Sequence, residues 1–408
     1  MTNSPKLTNN IKKFCLINDN VCIRLKLYGE DIRNLLEGNL WQEVGKGDAE
    51  IIFINTCAFL KKAEDKATST IENIIKNKKP HQQIAVFGCL PGMNLLRLHE
   101  IHNGLIFSGR NLEEIIKKFN LNPVQQQISY QVKRKVFSMA KFNKRINKFL
   151  LHDDYFTYLY DKEKVFHLKI SEGCLGNCSY CAERFARGTL KSQKIDDIIK
   201  EFNRGSELGY KIFSLNADDT GFFGEDNQEN IKMLLERILR INNDFKLVIT
   251  EFNPAALIKF SEPLTALLSS PKVIFITLPM ESGSQKILNL MNRHYDIDKV
   301  ISILRKIKIL NQKLKINTHI IVGFPGETEK NFMETEELLF KKFHFDKVKV
   351  FKYSERPKTA ASLMDNKISE IVIEKRCKYL NRLILWQAIR YLRVKEFLLN
   401  FHNLFWGI

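Results

Sequence analysis

Short apolar runs alternate with amphipathic stretches along the first third of the chain. Residues 51–54 and 84–87 are β-like apolar runs, residues 14–21 form a similar segment, and residues 63–76 place apolar side chains at helical spacing. Strands that alternate with helices are typical of a parallel sheet. We therefore predict an N-terminal α/β parallel-sheet domain over residues 12–125.

The same alternation returns further along the chain. Six strand-like segments are separated by amphipathic stretches, at residues 164–170, 212–215, 247–250, 273–277, 315–322 and 347–351. Six such units predict a partial (β/α)6 barrel that is open on one side. Ligands of such folds bind at the carboxyl ends of the strands. We place this second domain at residues 164–367.

Residues 126–163 form a basic connector between the two predicted domains. Basic side chains are interleaved there with aromatic ones, namely Lys133, Arg134, Lys135, Phe137, Lys141, Phe142, Lys144, Arg145, Lys148 and Phe149. Such a pattern can bind a phosphate backbone and stack on unpaired bases. It is also compatible with a solvated helix whose aromatic side chains pack on a core.

Residues 368–408 are predicted to form a helical tail. One stripe at helical spacing is mostly apolar and contains Leu380, Leu383, Ile384, Gln387, Tyr391, Val394 and Leu398. The cations Arg382, Arg390, Arg393 and Lys395 argue against a membrane span. They either form an ordinary solvated face or add to RNA binding.

Composition narrows the class of protein. The chain has 408 residues, 44% of them hydrophobic, which is enough for several folded domains with real cores. The formal charge of +18 suits a polyanionic partner, although a composition rich in Lys, Asn and Ile contributes to it. Eight cysteines without a signal peptide indicate a reducing, cytoplasmic location. No apolar run of about 18 residues is present, so we expect no membrane span.

Three cysteines in CxxxCxxC spacing follow the strand predicted at residues 164–170. Cys174, Cys178 and Cys181, called here the loop trio, can hold a 4Fe-4S cluster and leave one iron open for a small molecule. Zinc is the competing metal, but zinc sites usually show two CxxC pairs or a CxxC with distant histidines. Buried structural thiols are the remaining alternative. We expect a 4Fe-4S cluster.

Three further cysteines follow strand-like segments of the first domain. Cys22, Cys57 and Cys89 are called here the N-terminal trio. Because the carboxyl ends of parallel strands share one edge of a sheet, the three thiols can meet and form a second three-thiolate site. Cys15 competes with Cys22 for the third position. Each cysteine taken alone can also be a small buried apolar side chain.

Several motifs occur together and in order. The loop trio lies between Gly173 and the Ala-Arg-Gly run at 186–188, and is followed by the motifs at 219–224, 282–284 with 291–293, and 321–328. Over residues 12–376 the chain resembles the radical S-adenosylmethionine (SAM) methylthiotransferases. It is most similar to the archaeal and eukaryotic branch that acts on threonylcarbamoyladenosine in tRNA.

The resemblance implies two 4Fe-4S clusters, SAM and a reducing electron donor. The cluster at the loop trio would cleave SAM to give a 5′-deoxyadenosyl radical, and an auxiliary cluster at the N-terminal trio would supply sulfur that a second SAM methylates. No catalytic side chain is assigned. The family's SAM contacts carry over to Asp219, Thr220, Gly221, Glu281, Ser282, Arg293, Gly323 and Phe324.

Some of these positions have simpler interpretations. Asp219 can belong to a solvated turn, and Arg293 can form a salt bridge on a helix surface. The chain also departs from the family. Leu25 replaces an Asn, His319 an Asp, and Met280-Glu281 the usual Val-Gln. These last changes bear on the substrate and on the proton acceptor. The helical tail stands where the family has a small β-barrel, the TRAM domain.

The sequence thus predicts an enzyme that methylthiolates C2 of N6-threonylcarbamoyladenosine next to the anticodon of tRNA. One alternative is methylthiolation of a protein or peptide by the same two-cluster chemistry. The other is a non-enzymatic iron-sulfur or RNA-binding protein.

Overall fold

The computed structural model describes residues 11–18, 21–108, 112–124, 129–130 and 165–406, without the side chains of residues 129, 130, 388 and 391–406. The predicted basic connector therefore lies, except for residues 129–130, outside the described residues. The chain divides into two compact units, residues 1–132 with 182–189, and residues 133–181 with 190–408. The predicted domain boundaries at 125, 163 and 367 stay predictions.

The first unit is built on a parallel sheet with helices between the strands. The sheet has the order β2-β1-β3-β4-β5. Its strands are β1 (Lys13–Ile17), β2 (Gln42–Glu43), β3 (Ile51–Thr56), β4 (Gln83–Gly88) and β5 (Leu105–Ile106). Its helices are α1 (Ile23–Gly38), α2 (Lys61–Asn77), α3 (Cys89–Met93), α4 (Leu95–His99), α5 (Leu112–Phe119) and α6 (Glu183–Arg187).

The sheet of the first unit is buried on both faces. Every residue of β3 is buried, as expected for an apolar strand at the centre of a parallel sheet. One face packs aromatic side chains, including Phe14, Tyr28 and Phe53, and the other packs mostly aliphatic ones. The predicted parallel α/β fold of this part of the chain is confirmed.

One predicted strand is shorter than expected. Residues 14–21 were predicted as a strand that ends just before Cys22, but β1 ends at Ile17 and Cys22 is the extended residue that precedes α1. The prediction was wrong because Asn18, Asp19 and Asn20 are poor strand formers. Cys22 therefore lies at the start of a helix and not directly at a strand end.

The second unit contains the larger sheet, of order β14-β13-β12-β11-β10-β7-β6. The strands are β6 (Ser129–Tyr130), β7 (Val165–Lys169), β10 (Ile212–Asn216), β11 (Lys246–Ile249), β12 (Val273–Thr277), β13 (Lys315–Val322) and β14 (Lys347–Lys352), and a separate hairpin pairs β8 (Ser171–Glu172) with β9 (Lys191–Ser192). The pairs from β7 to β14 are parallel and follow chain order, which confirms the predicted partial (β/α)6 barrel.

Helices separate these strands along the chain. They are α7 (Ile195–Glu207), α8 (Ile231–Leu239), α9 (Pro254–Lys259), α10 (Ser261–Leu268), α11 (Gln285–Leu290), α12 (Ile297–Leu310), α13 (Glu329–Glu337) and α14 (Glu370–Trp406), with a π-helical turn (Leu338–Lys342) and a 3-10 turn (Ala360–Leu363). Within the described residues, no helix is both long enough and apolar enough to cross a bilayer.

The tail is helical, as predicted, and α14 is fixed to the second unit by a buried ion pair. Arg376 donates to the Glu327 carboxylate at 2.7 Å and to the Glu327 carbonyl oxygen at 2.9 Å. The side chains of Arg376 and Glu327 are 8% and 1% exposed, whereas Glu329, the second partner of Arg376, is 72% exposed. Ile373 packs so closely on Gly323 that a Cβ there would lie 2.3 Å from its Cγ1.

We expect Gly88→Ala to destabilise the first unit by about 2–5 kcal/mol, since positive φ costs about 1–2 and overpacking about 1–3. Gly88 has φ 99°, and an added Cβ would lie 2.6 Å from both Asn55 Oδ1 and the Thr56 carbonyl oxygen. Unfolding midpoints measure the loss. Gly47→Ala is the control because nothing lies within 4 Å of its added Cβ. An equal loss in both variants would contradict this account.

We expect Arg376→Met to cost about 3–5 kcal/mol, because it leaves the buried Glu327 carboxylate without its cation. Glu329→Gln should cost less than about 1 kcal/mol, as for an exposed pair. Burial already raises the pKa of Glu327. Loss of Arg376 raises it further, so the deficit should shrink in mildly acidic buffer, where Glu327 protonates. Urea unfolding at two pH values tests both points, and a pH-independent deficit would count against the ion pair.

Candidate functional site

The loop trio lies on one loop after β8, and neighbouring segments of the second unit hold that loop in place. Ser179 donates its backbone N–H to the Met291 carbonyl oxygen at 3.0 Å and its hydroxyl to the Leu290 carbonyl oxygen at 2.8 Å. Gly173 donates its N–H to Asp218 Oδ2 at 2.9 Å. The loop that carries the three thiols is therefore anchored at Gly173 and Ser179 by other segments of the second unit.

Gly176 lies against two of the sulfur atoms. Its N–H donates to Cys174 Sγ at 3.1 Å, and a Cβ on Gly176 would lie 3.1 Å from that sulfur and 3.9 Å from Cys178 Sγ. The missing side chain leaves the sulfurs accessible, and the N–H can stabilise a thiolate. Burial, with the Asp219 charge next, raises the pKa of Cys174 to about 12. A metal must therefore displace a thiol proton when it binds.

These residues fit a 4Fe-4S cluster. The donor set is three soft thiols, which suits iron-sulfur clusters, and one glycine N–H points at a sulfur. Among the described residues, no three His, Cys, Asp or Glu side chains converge as the ligands of a single ion would. That does not count against a cubane, in which each thiolate binds a different iron.

Asp219, a predicted SAM contact that follows β10, is held in place by three hydrogen bonds to its carboxylate. It is buried, and it accepts hydrogen bonds from Gly221 N at 3.0 Å, Phe222 N at 3.3 Å and Asn253 Nδ2 at 2.8 Å. Burial raises its pKa despite these donors. Its Oδ2 lies 3.9 Å from Cys174 Sγ. Asp219 is therefore not a solvated turn residue but a buried carboxyl group beside the loop trio.

Thr220 and Gly221, the other two predicted SAM contacts of this motif, have partners within the protein. The Thr220 hydroxyl donates to the Thr250 carbonyl oxygen at 2.7 Å. A Cβ on Gly221 would lie 2.9 Å from Ala256 Cβ, so this glycine packs against α9. Only the backbones of these two residues remain as predicted SAM contacts.

Arg293 and Glu281 lie together beside the loop trio. Arg293 Nη2 donates to the Pro279 carbonyl oxygen at 2.8 Å, and its Nη1 lies 3.8 Å from Cys178 Sγ. Tyr180 donates its hydroxyl to Glu281 Oε1 at 2.9 Å. Burial, with the Glu281 charge next, raises the pKa of Tyr180. Arg293 is thus a half-buried cation near a sulfur atom and not a helix-surface residue.

Ser282 and Phe324 are fully buried and have other partners. Ser282 Oγ lies 3.3 Å from Thr335 Oγ1 in α13 and accepts from Ser284 N at 3.1 Å. The Phe324 ring packs edge-on against Tyr353. Gly323 has φ 79° and donates its N–H to Glu327 Oε2 at 2.8 Å. For Phe324, only the backbone remains as a predicted nucleotide contact.

The N-terminal trio lies around one apolar cluster of the first unit. Cys89 is buried in this cluster, and Cys22 and Cys57 pack against it. Burial, with Cys22 as the next cause, raises the pKa of Cys57 to about 11, so these two thiols are electrostatic neighbours. Cys15 also packs against the cluster, but its charged neighbours are Glu43 and Lys46. The choice of Cys22 over Cys15 as the third ligand stays a prediction.

Asn55 holds the segments of the N-terminal trio together. Its Nδ2 donates to Asn18 Oδ1 and to the Leu25 carbonyl oxygen, both at 2.7 Å. Thr56, which precedes Cys57, donates its hydroxyl to the Phe87 carbonyl oxygen at 2.6 Å. Leu25, which stands where the family has an Asn, thus contributes its backbone carbonyl oxygen, while Asn18 supplies an amide side chain.

Sequence reasoning missed four residues at these sites. Asn55 donates to the Leu25 carbonyl oxygen, and Asn253 donates to the Asp219 carboxylate. Tyr180 donates to Glu281, and the Tyr295 ring lies against the Arg293 guanidinium. Three of the four carry a signal in the sequence: Asn55 directly precedes Thr56-Cys57, Asn253 ends the segment after β11, and Tyr180 stands between two cysteines. Their partners are distant in sequence, so the pattern did not indicate what they bind.

Two family models match the chain. The radical SAM superfamily matches residues 168–339, and the uncharacterized protein family UPF0004 matches residues 28–107. A probable threonylcarbamoyladenosine tRNA methylthiotransferase from Pyrococcus horikoshii is 32% identical over 338 residues, which cover 82% of this chain and 75% of the relative.

Relatives with another named substrate match as well. A ribosomal protein uS12 methylthiotransferase from Dictyoglomus thermophilum is 32% identical over 337 residues, which cover 79% of this chain and 71% of the relative. Among solved structures, the radical SAM methyltransferase TsrM from Kitasatospora setae, with cobalamin and a [4Fe-4S] cluster bound, has a TM-score of 0.61. It covers 86% of this chain and 74% of its own at 11% identity, which shows the fold alone.

The family implies an enzyme that uses SAM and a 4Fe-4S cluster, in agreement with the thiol donors of the loop trio. Motifs in the predicted order, the partial barrel and relatives at about one-third identity over most of the chain all agree. This chain belongs to the radical SAM methylthiotransferase family.

Proposed function

We propose that this enzyme inserts sulfur at C2 of N6-threonylcarbamoyladenosine next to the anticodon of tRNA and methylates that sulfur. The observation that carries the proposal is the presence of two separate cysteine trios, one in each unit. Methylthiolation needs a group that cleaves SAM and a second group that supplies sulfur. The printed name of the Pyrococcus relative supports threonylcarbamoyladenosine as the substrate.

In this proposal, Cys22, Cys57 and Cys89 hold a second 4Fe-4S cluster. The shared apolar cluster and the electrostatic proximity of Cys22 and Cys57 support this set over one that contains Cys15. The Glu183–Arg187 ion pair of α6 also acts on the Cys57 thiol, so charged groups of the same unit surround the site. Surrounding charges of this kind tune such clusters.

The chain's own residues would bind and orient SAM at the loop trio. Buried Asp219 offers carboxyl oxygens to an amino group, and the Arg293 guanidinium suits a carboxylate. The turn at Gly323 lets the backbone approach the adenine. When bound, the two clusters and SAM supply radical C–H activation and sulfur insertion. A cytoplasmic reductant would provide electrons.

An exposed stripe on α14 supports a nucleic-acid partner. Lys375, Arg382, Trp386 and Arg390 recur at spacings of seven, four and four residues, so they share one face of the helix. All four are exposed, and Trp386 is 65% exposed. Cations that alternate with an exposed indole suit phosphates and an unpaired base.

We expect about eight irons per chain after anaerobic reconstitution, and about four in a Cys57→Ala and Cys89→Ala double variant, because each cubane holds four irons. Iron analysis and the absorbance of the cluster measure this. Cys377→Ala, in α14 and outside both trios, is the matched control and should keep about eight. Cys22→Ala should behave like the double variant and Cys15→Ala like the control. About four irons in the wild type and in every variant would show that the chain holds no second cluster.

We expect the reconstituted enzyme with SAM, reductant and a sulfur source to replace one hydrogen of threonylcarbamoyladenosine by SCH3, as seen by mass spectrometry of digested tRNA. A Trp386→Ala and Arg382→Ala variant should raise KM for tRNA about tenfold, through lost stacking and phosphate contact.

Reductive cleavage of SAM without tRNA should be unchanged in that variant, because neither residue touches the predicted SAM contacts. Modification of ribosomal protein uS12 with no modification of tRNA would instead favour the protein substrate named for the Dictyoglomus relative.

A further inference from the structure

Glu251 and His319 face each other in the second unit. His319 Nδ1 lies 3.9 Å from Glu251 Oε2, and both side chains are partly open to solvent, at 15% and 27% exposure respectively. The imidazole also meets the Phe351 ring edge-on, with the centroids 5.4 Å apart. The orientation of His319 is therefore fixed by a carboxylate and an aromatic ring.

The backbones of this pair are joined to the predicted SAM contacts. The Glu251 carbonyl oxygen accepts from Thr220 N at 3.1 Å, and the His319 carbonyl oxygen accepts from Glu281 N at 2.8 Å. A substrate carbon attacked by a SAM-derived radical must lie close to SAM. The pair is therefore placed where substrate groups beside that carbon would lie.

Glu251 also has an unfavourable backbone conformation. Its φ is 52°, a left-handed value that costs a non-glycine residue about 1–2 kcal/mol. Such strain persists where surrounding structure enforces it, and it is concentrated at functional sites. The same holds for Glu281, with φ 63°, which follows the next strand. Two glutamates with strained backbones thus follow neighbouring strands, β11 and β12, of the sheet.

The face of the sheet that carries His319 is basic. His319 pairs in register with Lys349, and Lys347 lies two residues before it on the same face of β14. Lys349 Nζ lies 4.6 Å from the centre of the Phe351 ring. The opposite face is different, because Lys352 there forms an ion pair with Glu374 of α14. The cations near His319 are therefore on the face that α14 does not cover.

We infer that His319 and Lys349 form a subsite for a carboxylate on the substrate, the threonyl carboxylate of the modified adenosine, with Glu251 and Phe351 as positioning residues for the imidazole. This assignment rests on the proposed function and deepens it. The imidazole N–H and the lysine ammonium would each donate to a carboxylate oxygen. Charge-assisted hydrogen bonds of this kind are stronger than neutral ones. The subsite would select for an anionic adenosine against an uncharged one.

The test measures binding of labelled anticodon stem-loop RNAs by fluorescence anisotropy. The full chain is reconstituted and kept without oxygen, with SAM present. Three RNAs differ only at the target adenosine: threonylcarbamoyladenosine, its carboxylate methyl ester, and plain adenosine. The wild type should bind the free carboxylate about tenfold more tightly than the ester, as expected for loss of one charge-assisted contact.

Lys349→Met and His319→Gln should each reduce that preference to within about threefold, with unchanged affinity for the plain RNA. Lys352→Met is the matched control, since it removes a cation from the other face of the same strand and should keep the full preference. Thermal midpoints and SAM binding verify that each variant is folded.

Several outcomes would overturn the subsite. One is a wild type that does not distinguish the carboxylate from its ester, and another is a preference that survives in both variants. Displacement of the carboxylate RNA by a short aspartate peptide at comparable concentration would reassign the site to a protein substrate. If tRNA is methylthiolated while the preference does not depend on Lys349 or His319, this inference fails and the proposed function stands. If no RNA is bound or modified, the proposed function fails as well.

Discussion

The contact between Asn55 and Gly88 is the constraint on which the geometry of the first unit depends. The Asn55 amide donates to the segment before α1 and to the Leu25 carbonyl oxygen, while its Oδ1 occupies the space that a Cβ on Gly88 would need. One side chain thus fixes the segments that carry Cys22, Cys57 and Cys89. A glycine is required next to it because φ is 99° there and no Cβ fits.

The second unit holds its site by a different means, which is burial of charge. Asp219 is buried beside the loop trio, and Arg293 and Tyr180 are half-buried there. Desolvation is the largest cause of the raised pKa of Asp219 and of Tyr180, whereas at Arg293 neighbouring negative groups outweigh desolvation and raise the pKa. Buried charges of this kind are tolerable only when partners surround them. Asn253, Pro279 and Glu281 supply those partners. A charged ligand such as SAM would then enter an environment that is already polarised.

The tail shows how a helix far along the chain supports that site. Arg376 neutralises Glu327, whose other bond is to the N–H of Gly323, and Ile373 fills the space that glycine leaves. The turn predicted to meet adenine is therefore held from behind by α14. The same helix presents its exposed basic stripe on another face. This arrangement places support of the turn and the proposed RNA contact on one element.

The strand periodicity was sufficient to predict the parallel α/β fold, the partial barrel and the helical tail. These features depend on local sequence, because alternation and motif spacing follow from period and connection length. The end of β1 was the exception, since three polar residues override an apolar run.

Side-chain partners were decided only by the tertiary structure. The Ser282 hydroxyl lies within hydrogen-bond distance of the Thr335 hydroxyl in α13, and the Phe324 ring packs on Tyr353. Leu25, which stands where the family has an Asn, accepts a hydrogen bond through its backbone carbonyl oxygen. The pair of Glu251 and His319, 68 residues apart in the sequence, meets only because β11 and β13 lie in one sheet. Sequence thus determined which elements form, although it misplaced the end of β1. Packing between elements distant in sequence decided which side chain each functional group meets.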